Sequence, residues 1–432
     1  MKTIKYLAVF IAASVALCSC KDDTATKVVV SPIGISSPEP TETISGVELK
    51  ESQKPFVAAG NEFAVKCLKA LFDDENMIFS PLSLQYALAL AANGASGETA
   101  AEIVQTLGFG EDKAALNAYC NLLLKQLPAL DKDVVVKLAN AVIMNDMYKA
   151  QESFRQIAET IYYSPVEYAS MSNPKVLVDR INEWASRNTA GLINPFIDES
   201  DISEYFAAAI LNALYFKAKW KEYDMLPTFV AGTDSAPFYF DGGGNCNVKY
   251  MFADRIFRHG KLYDNTILEL PYGNGKYVMY VILPDTKGVN GVEHMLSALT
   301  AEKLTAAINS MSSKALVHVQ MPMFETASRF DLTAILKSLG INRAFERYIA
   351  EFDSLIEDYG TGDFRIGSVI QKSKIKVTDW GTEAAAVTMV EIYAESAPSE
   401  EQIYFTADHP FVYLIAEKAS GLILFEGIYN GK

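Results

Sequence analysis

The side chains that most often do chemistry are few in this chain and badly placed for it. Among 432 residues there are only four histidines, His259, His294, His318 and His409. No two of them share metal-ligand spacing, and His409, inside Asp408-His409-Pro410-Phe411, reads as a residue at the start of a strand. The five cysteines, Cys18, Cys20, Cys67, Cys120 and Cys246, fit no zinc or redox pattern, and the last three read as buried, unpaired core thiols. Gly-x-Ser-x-Gly elbows, phosphate-binding loops and dinucleotide fingerprints are missing. One Ser-x-x-Lys pair, Ser172 and Lys175, has a proline between its members where a helix is wanted. The expectation is a protein with no catalytic residues, metal or cofactor.

The chemistry on offer is that of a backbone. Residues 379–396 read DWGTEAAAVTMVEIYAES. Taken as a strand, one face carries Thr382, Ala384, Ala386, Thr388, Val390 and Ile392, all small or apolar. The other carries Glu383, Ala385, Val387, Met389, Glu391 and Tyr393, with both glutamates. Such period-two segregation suits a strand with one buried side. Alanines at 384–386 have poor strand propensity and favour helix in isolation, but their small side chains can slip between existing strands. Gly381 is a plausible hinge, and the polar run Glu395-Ser396-Ala397-Pro398-Ser399-Glu400-Glu401 reads as an exposed, cleavable tip. An ordinary amphipathic edge strand or a short helix before a surface loop fits this segment equally well when it is taken alone.

The elements around it read as one large mixed α+β domain from about residue 51 to 432. Phe56, Ala59, Phe63, Cys67, Leu68 and Leu71 recur at helical spacing. Two more helices are expected over Ser83–Leu90 and Thr99–Leu107, split by the turn cluster 93–97, with Ser96 as a candidate cap. Leu138–Met144 reads as a buried strand and Val178–Trp184 as part of a helix ending near Gly191. Later come short apolar or alternating runs at 208–220, 266–272, 277–283, 315–321 and 412–415, and a helix over Phe330–Leu339 stopped at Gly340. Helices early and strands late indicate α+β with extensive antiparallel pairing. The formal charge of −15 disfavours nucleic acid and anionic lipid as partners.

The N-terminus reads as an address and an anchor. MKTIKYLAVFIAASVALCSC has two lysines, an apolar run and small residues before Cys20, the anatomy of a secretory signal. Leu17-Cys18-Ser19-Cys20 resembles the bacterial lipobox, which implies a signal peptide at 1–19 and lipid on Cys20. Lys21-Asp22-Asp23 resembles the export signal of Bacteroidetes surface lipoproteins, which implies the outer face of the outer membrane. Residues 20–50, rich in Ser, Thr, Pro and Val, read as anchor and flexible tether.

Several motifs in family order resemble the serpins. Gly381-Thr382-Glu383-Ala384-Ala385-Ala386-Val387-Thr388 looks like the hinge of their reactive loop. NMIFSPLSLQYALALAA (76–92), NALYFKAKW (212–220), Leu270-Pro271-Tyr272, Leu283-Pro284, Met321-Pro322-Met323-Phe324, Leu339-Gly340-Ile341, Asp408-His409-Pro410-Phe411 and Ile423-Leu424-Phe425-Glu426-Gly427 match other family stretches. The resemblance implies a monomeric, non-enzymatic suicide inhibitor of serine (and cysteine) proteases. Its partner would be a target protease held in a covalent complex, and its reactive loop would span about 379–400. On family spacing the scissile bond is Glu395–Ser396, with Ile392, Tyr393 or Ala394 serving in a shifted register. Ser80, Ser83 and Asn212 match the polar cluster that lets the main sheet open. Gln371 stands where the family often has histidine, and Asp379-Trp380 replaces the usual pair of glutamates. Rival readings are a non-inhibitory, chaperone-like serpin, a surface glycan-binding lipoprotein and, on the Ser172/Lys175 pair, a penicillin-recognising enzyme.

Overall fold

Two long apolar runs, each interrupted by a single asparagine, build the ladder on which the molecule is organised. The computed structural model describes residues 43–170, 172–203, 205–222, 226–240, 244–357, 364–382 and 402–432. In it β2 (Val134–Asn145) and β4 (Ala208–Lys219) pair antiparallel from Val134↔Ala218 to Met144↔Ala208. With elements numbered along the chain, their sheet runs β11 (Phe324–Asp331), β12 (Ile370–Thr378), β13 (Gly381–Thr382), β4, β2, β3 (Val166–Ala169). A second six-stranded sheet runs β1 (Met77–Phe79), β16 (Ile423–Tyr429), β15 (Phe411–Glu417), β9 (Tyr277–Leu283), β8 (Asn265–Tyr272), β7 (His259–Leu262). The third has four strands, β14 (Gln402–Thr406), β10 (Leu316–Pro322), β6 (Asn245–Arg255), β5 (Val230–Tyr239). Pairing is antiparallel throughout except at β2–β3 and β10–β14.

Nine α-helices lie among the described residues: α1 (Lys54–Leu71), α2 (Pro81–Gly94), α3 (Gly97–Thr106), α4 (Lys113–Gln126), α5 (Glu152–Ile161), α6 (Pro174–Asn188), α7 (Val289–Ala298), α8 (Ala301–Ser310) and α9 (Thr333–Ser338). The fold is α+β, as expected. Strands β9, β15 and β16 are buried at every residue. β9 reads as an unbroken apolar run, and β15 and β16 as apolar runs that hold Glu417 and Glu426, because both faces of their sheet are covered. One face of the β2–β4 ladder joins this main core through Leu138, Leu214 and Phe216. The other, lined by Ala139, Ala141, Leu211 and Ala213, takes α6 through Leu177, Ile181 and Trp184.

Local differences from the sequence reading have local causes. Phe330 and Asp331 belong to β11, paired with Gln371 and Ile370, so α9 begins only at Thr333. Ser96 stands at the N-cap of α3 without a capping bond; its hydroxyl goes to Asp353 instead. Cys67 and Cys120 are buried free thiols, but Cys246 is only half-buried, and its thiol donates to the Gly431 carbonyl at 2.8 Å. Packing onto the domain begins before residue 51. Ile44, Val47 and Leu49 lie against the core, and the Ile44 N–H donates to the Ala129 carbonyl.

Candidate functional site: the hinge and the cleft beyond it

Gly381 and Thr382 are the two hinge residues inside the described structure, and both are already strand. β13 bridges β12 and β4, with Thr378↔Gly381↔Lys219 and Val377↔Thr382↔Ala218. Gly381 has φ +146, and a Cβ there would stand 2.0 Å from the Ala218 carbonyl oxygen, so no other residue fits. The Thr382 side chain is 2 % exposed. Its hydroxyl shares a 2.6 Å hydrogen bond with the Tyr272 phenol, whose pKa burial pushes up, so the ring stays neutral. Tyr272 stacks flat on Trp220, centroids 4.4 Å apart. The Trp220 indole N–H donates to the Thr378 carbonyl at 2.8 Å, and its backbone N–H to the Trp380 carbonyl at 3.0 Å. Trp380 is half-buried beside this seam, and desolvation raises the pKa of neighbouring Asp379. The sequence reading did not single out Tyr272 or Trp220 as contacts of the hinge, although both lie in motifs it quoted.

Beyond Thr382, among the described residues, β12 and β4 are not paired to each other. Between them lies a cleft of about 370 Å³, counted with the solvent at its mouth. Leu214, Tyr215 and Phe216 of β4 and Lys374, Ile375 and Lys376 of β12 form its walls, and Thr382 closes its end. Ile415 and Phe425 line it from the main core, while Thr189, Leu192 and Ile193, just past α6, line it on the helix side. Its strand walls cover the levels that positions 383–386 would take in a continuation of β13.

The β13 register fixes where a continuation would run. Each step forward from Thr382 is one step back along both neighbours. Position 384 falls opposite Ile375 and Phe216, position 386 opposite Ser373 and Leu214, and position 388 opposite Gln371 and Asn212. Gln371, Ser373, Ile375 and Val377 are buried on β12, so a strand continuing in this register would turn its even-numbered positions to the core. Glu383, Ala384, Ala385, Ala386, Thr388, Val390, Ile392 and the bond Glu395–Ser396 lie outside the described residues, as does Cys20.

The structure brings Ser80, Ser83, Asn212 and Gln371 into one hydrogen-bonded chain. Ser80 caps α2: its Oγ accepts the Ser83 N–H at 3.1 Å and donates to the Leu424 carbonyl at 2.8 Å. Gln371 spans the Ser80 backbone, accepting its N–H at 2.9 Å and donating to its carbonyl at 3.0 Å, and takes the Ser373 hydroxyl at 3.2 Å. The Ser83 hydroxyl donates to Asn212 Oδ1, and Asn212 Nδ2 donates to Asn140. Strands β12, β4 and β2 are thus joined through the first turn of α2, at the level that position 388 would reach. Asn140 and Ser373 were not singled out from sequence. The signal for Asn140 was present, as a lone amide in an apolar run.

The Ser172/Lys175 pair does not form a catalytic unit. The Ser172 hydroxyl bonds Ser170 and the Lys175 ammonium pairs with Asp179, while Pro174 opens α6.

Known proteins give the same answer as the geometry. A family model described as "Serpin (serine protease inhibitor)" matches residues 58–430. An uncharacterized serpin-like protein of Thermococcus kodakarensis is 32% identical over 88% of this chain and 86% of its own length. The leukocyte elastase inhibitor of Bos taurus is 31% identical over 86% of this chain and 97% of its own. The crystal structure of the thermophilic serpin tengpin in its native state superposes with a TM-score of 0.78 at 25% identity, covering 92% of this chain and all of that one. The chain belongs to the serpin family of serine protease inhibitors.

Proposed function

We propose that the protein is a single-use inhibitor that traps a serine protease as an acyl-enzyme and then feeds residues 383–392 into the cleft between β12 and β4. The protease's serine oxygen attacks the carbonyl carbon at the reactive bond. The amide breaks, an ester joins protease to residue 395, and the proton passes to the new amine of Ser396. The freed strand then enters behind Thr382 and carries the ester with it. Cysteine proteases would be held through a thioester in the same way.

One observation carries this reading. Gly381 and Thr382 are paired on both sides at the mouth of the cleft, and a continuation in their register would run the uncharged face of the hinge towards the core. Thr388 would arrive between Gln371 and Asn212, able to share their hydrogen bonds, and Ala384 and Ala386 would meet Phe216 and Leu214 with little volume to accommodate.

The magnitudes suffice. The ten residues 383–392 at ~3.4 Å each carry the ester about 34 Å along the sheet. Roughly ten ladder hydrogen bonds at ~1 kcal/mol, with several more from Val390 and Ile392, supply on the order of 10 kcal/mol. A misplacement of ~1 Å in a catalytic group already costs about 100-fold in rate.

A protease panel tests the reading. Glutamyl-preferring enzymes suit cleavage after Glu395, and elastase- or chymotrypsin-like ones suit Tyr393 or Ala394. The expected result is a covalent complex stable in denaturing gels, and clipped inhibitor that melts well above the intact form. Cleavage with neither outcome overturns the proposal. We further propose that lipid on Cys20 anchors the inhibitor at the outer membrane facing outward. A thioether-linked diacylglycerol and a second, N-linked acyl chain give stable attachment. Fatty-acid labelling that persists in Cys20→Ala would sink that part.

A further inference from the structure

A carboxylic acid sits where no charge can be held. Glu426, on β16, is 0% exposed, and among the described residues neither of its side-chain oxygens has a hydrogen-bond partner. It faces Phe79 across β1 and Leu414 across β15. The elements packed most closely on β16 are α1, α2, β1 and β15; β5 and β11 touch it at Tyr429, through Phe238 and Phe324. β1 has no titratable group. On α2 the only one is Tyr86, whose hydroxyl is committed to the Cys120 carbonyl. On β15, Tyr413 is committed to the Met77 carbonyl and Glu417 to the Ala419 and Ser420 amides. On α1, Lys54, Glu62, Lys66 and Lys69 are half-buried or exposed, and the buried Cys67 thiol is made harder to ionise, first by burial and then by Glu426. Among the described residues no lysine or arginine offsets the carboxylate. Burial alone raises the Glu426 pKa well above its usual value.

We infer that Glu426 is a proton-dependent stability element: the fold requires it as the neutral acid, so the domain loses stability as pH rises. The sign follows from proton counting. Above pH ~4.5 the unfolded chain releases this proton while the folded chain keeps it. Folding must then take up a proton from solution, and the unfolding constant rises by about tenfold per pH unit until the folded pKa is reached. This is the opposite of ordinary acid denaturation. The surroundings of Glu426 are formed by α1, α2, β1 and β15, none of which is part of the loop, so the inference stands apart from the proposed inhibitory mechanism.

The test is urea unfolding of the full chain between pH 5.5 and 7.5, beside Glu426→Gln and Glu426→Met. Relative to Glu426→Gln, the wild type should lose about 100-fold in its folding constant over those two units. Glu426→Met, which removes the buried acid, should be more stable than wild type at pH 7.5 and lose that advantage towards pH 5.5. Parallel pH profiles for wild type and both variants would overturn the inference. Should either variant fail to fold, infrared spectroscopy of the wild type decides: a protonated-carboxyl band persisting at pH 7.5 supports the inference, and its absence refutes it.

Discussion

In the proposed mechanism Thr382 is the residue on which insertion turns. It is buried against Tyr272 at the head of the cleft, so any side chain there must be accommodated before the next residue can follow. An arginine would place an unpaired guanidinium among Tyr272, Phe216 and Ile375, costing several kcal/mol. Thr382→Arg is therefore expected to turn the inhibitor into a substrate: the loop is still cut, but deacylation outruns insertion. The readout is the ratio of cleaved protein to covalent complex on a denaturing gel, and a variant that traps as efficiently as wild type would contradict the assignment. The burial of Thr382 was visible in the sequence, because parity alone put it on the uncharged face. Its bond to Tyr272 was not, since 110 residues separate the pair and nothing periodic links them.

At the scale of elements, the first turn of α2 is what ties β12, β4 and β2 together where the sheet has to part. The tie is made wholly of hydroxyls and amides: Gln371, Ser373, Ser80, Ser83, Asn212 and Asn140. None of these titrates in the physiological range. Insertion by the wild type is thus expected to proceed at a rate independent of pH between 6 and 8, whereas Gln371→His should introduce a dependence centred near the histidine pKa of about 6.5. Stopped-flow fluorescence with a protease already saturated as acyl-enzyme would measure both, and a bell or slope in the wild type would refute the expectation. Helical spacing marked α1, α2 and α3 closely, because an amphipathic stripe is a local property. α9 was misjudged at its start because Phe330 and Asp331 answer to a partner strand 40 residues away. Strand partners in general lay beyond reach: alternation reveals which face is buried, not which strand lies alongside.

For the molecule as a whole, the ends of the loop matter as much as its contents. Thr382 is fixed at the head of the cleft and Gln402 begins β14 on a different sheet. Nineteen residues of sequence, 383–401, connect them. Without a cut, every residue drawn downward shortens the return path while lengthening the distance it must cover. Drawing in ten residues descends about 34 Å and leaves nine to come back, whose full stretch is only about 30 Å. In the proposed mechanism slack would therefore be a safety catch set by chain length, holding the spring cocked until a protease severs the cord. Letting out more cord should release it: six Gly/Ser residues inserted after Ala397 are expected to make the uncut protein lose inhibitory capacity on storage faster than wild type, by a first-order decay that no protease initiates.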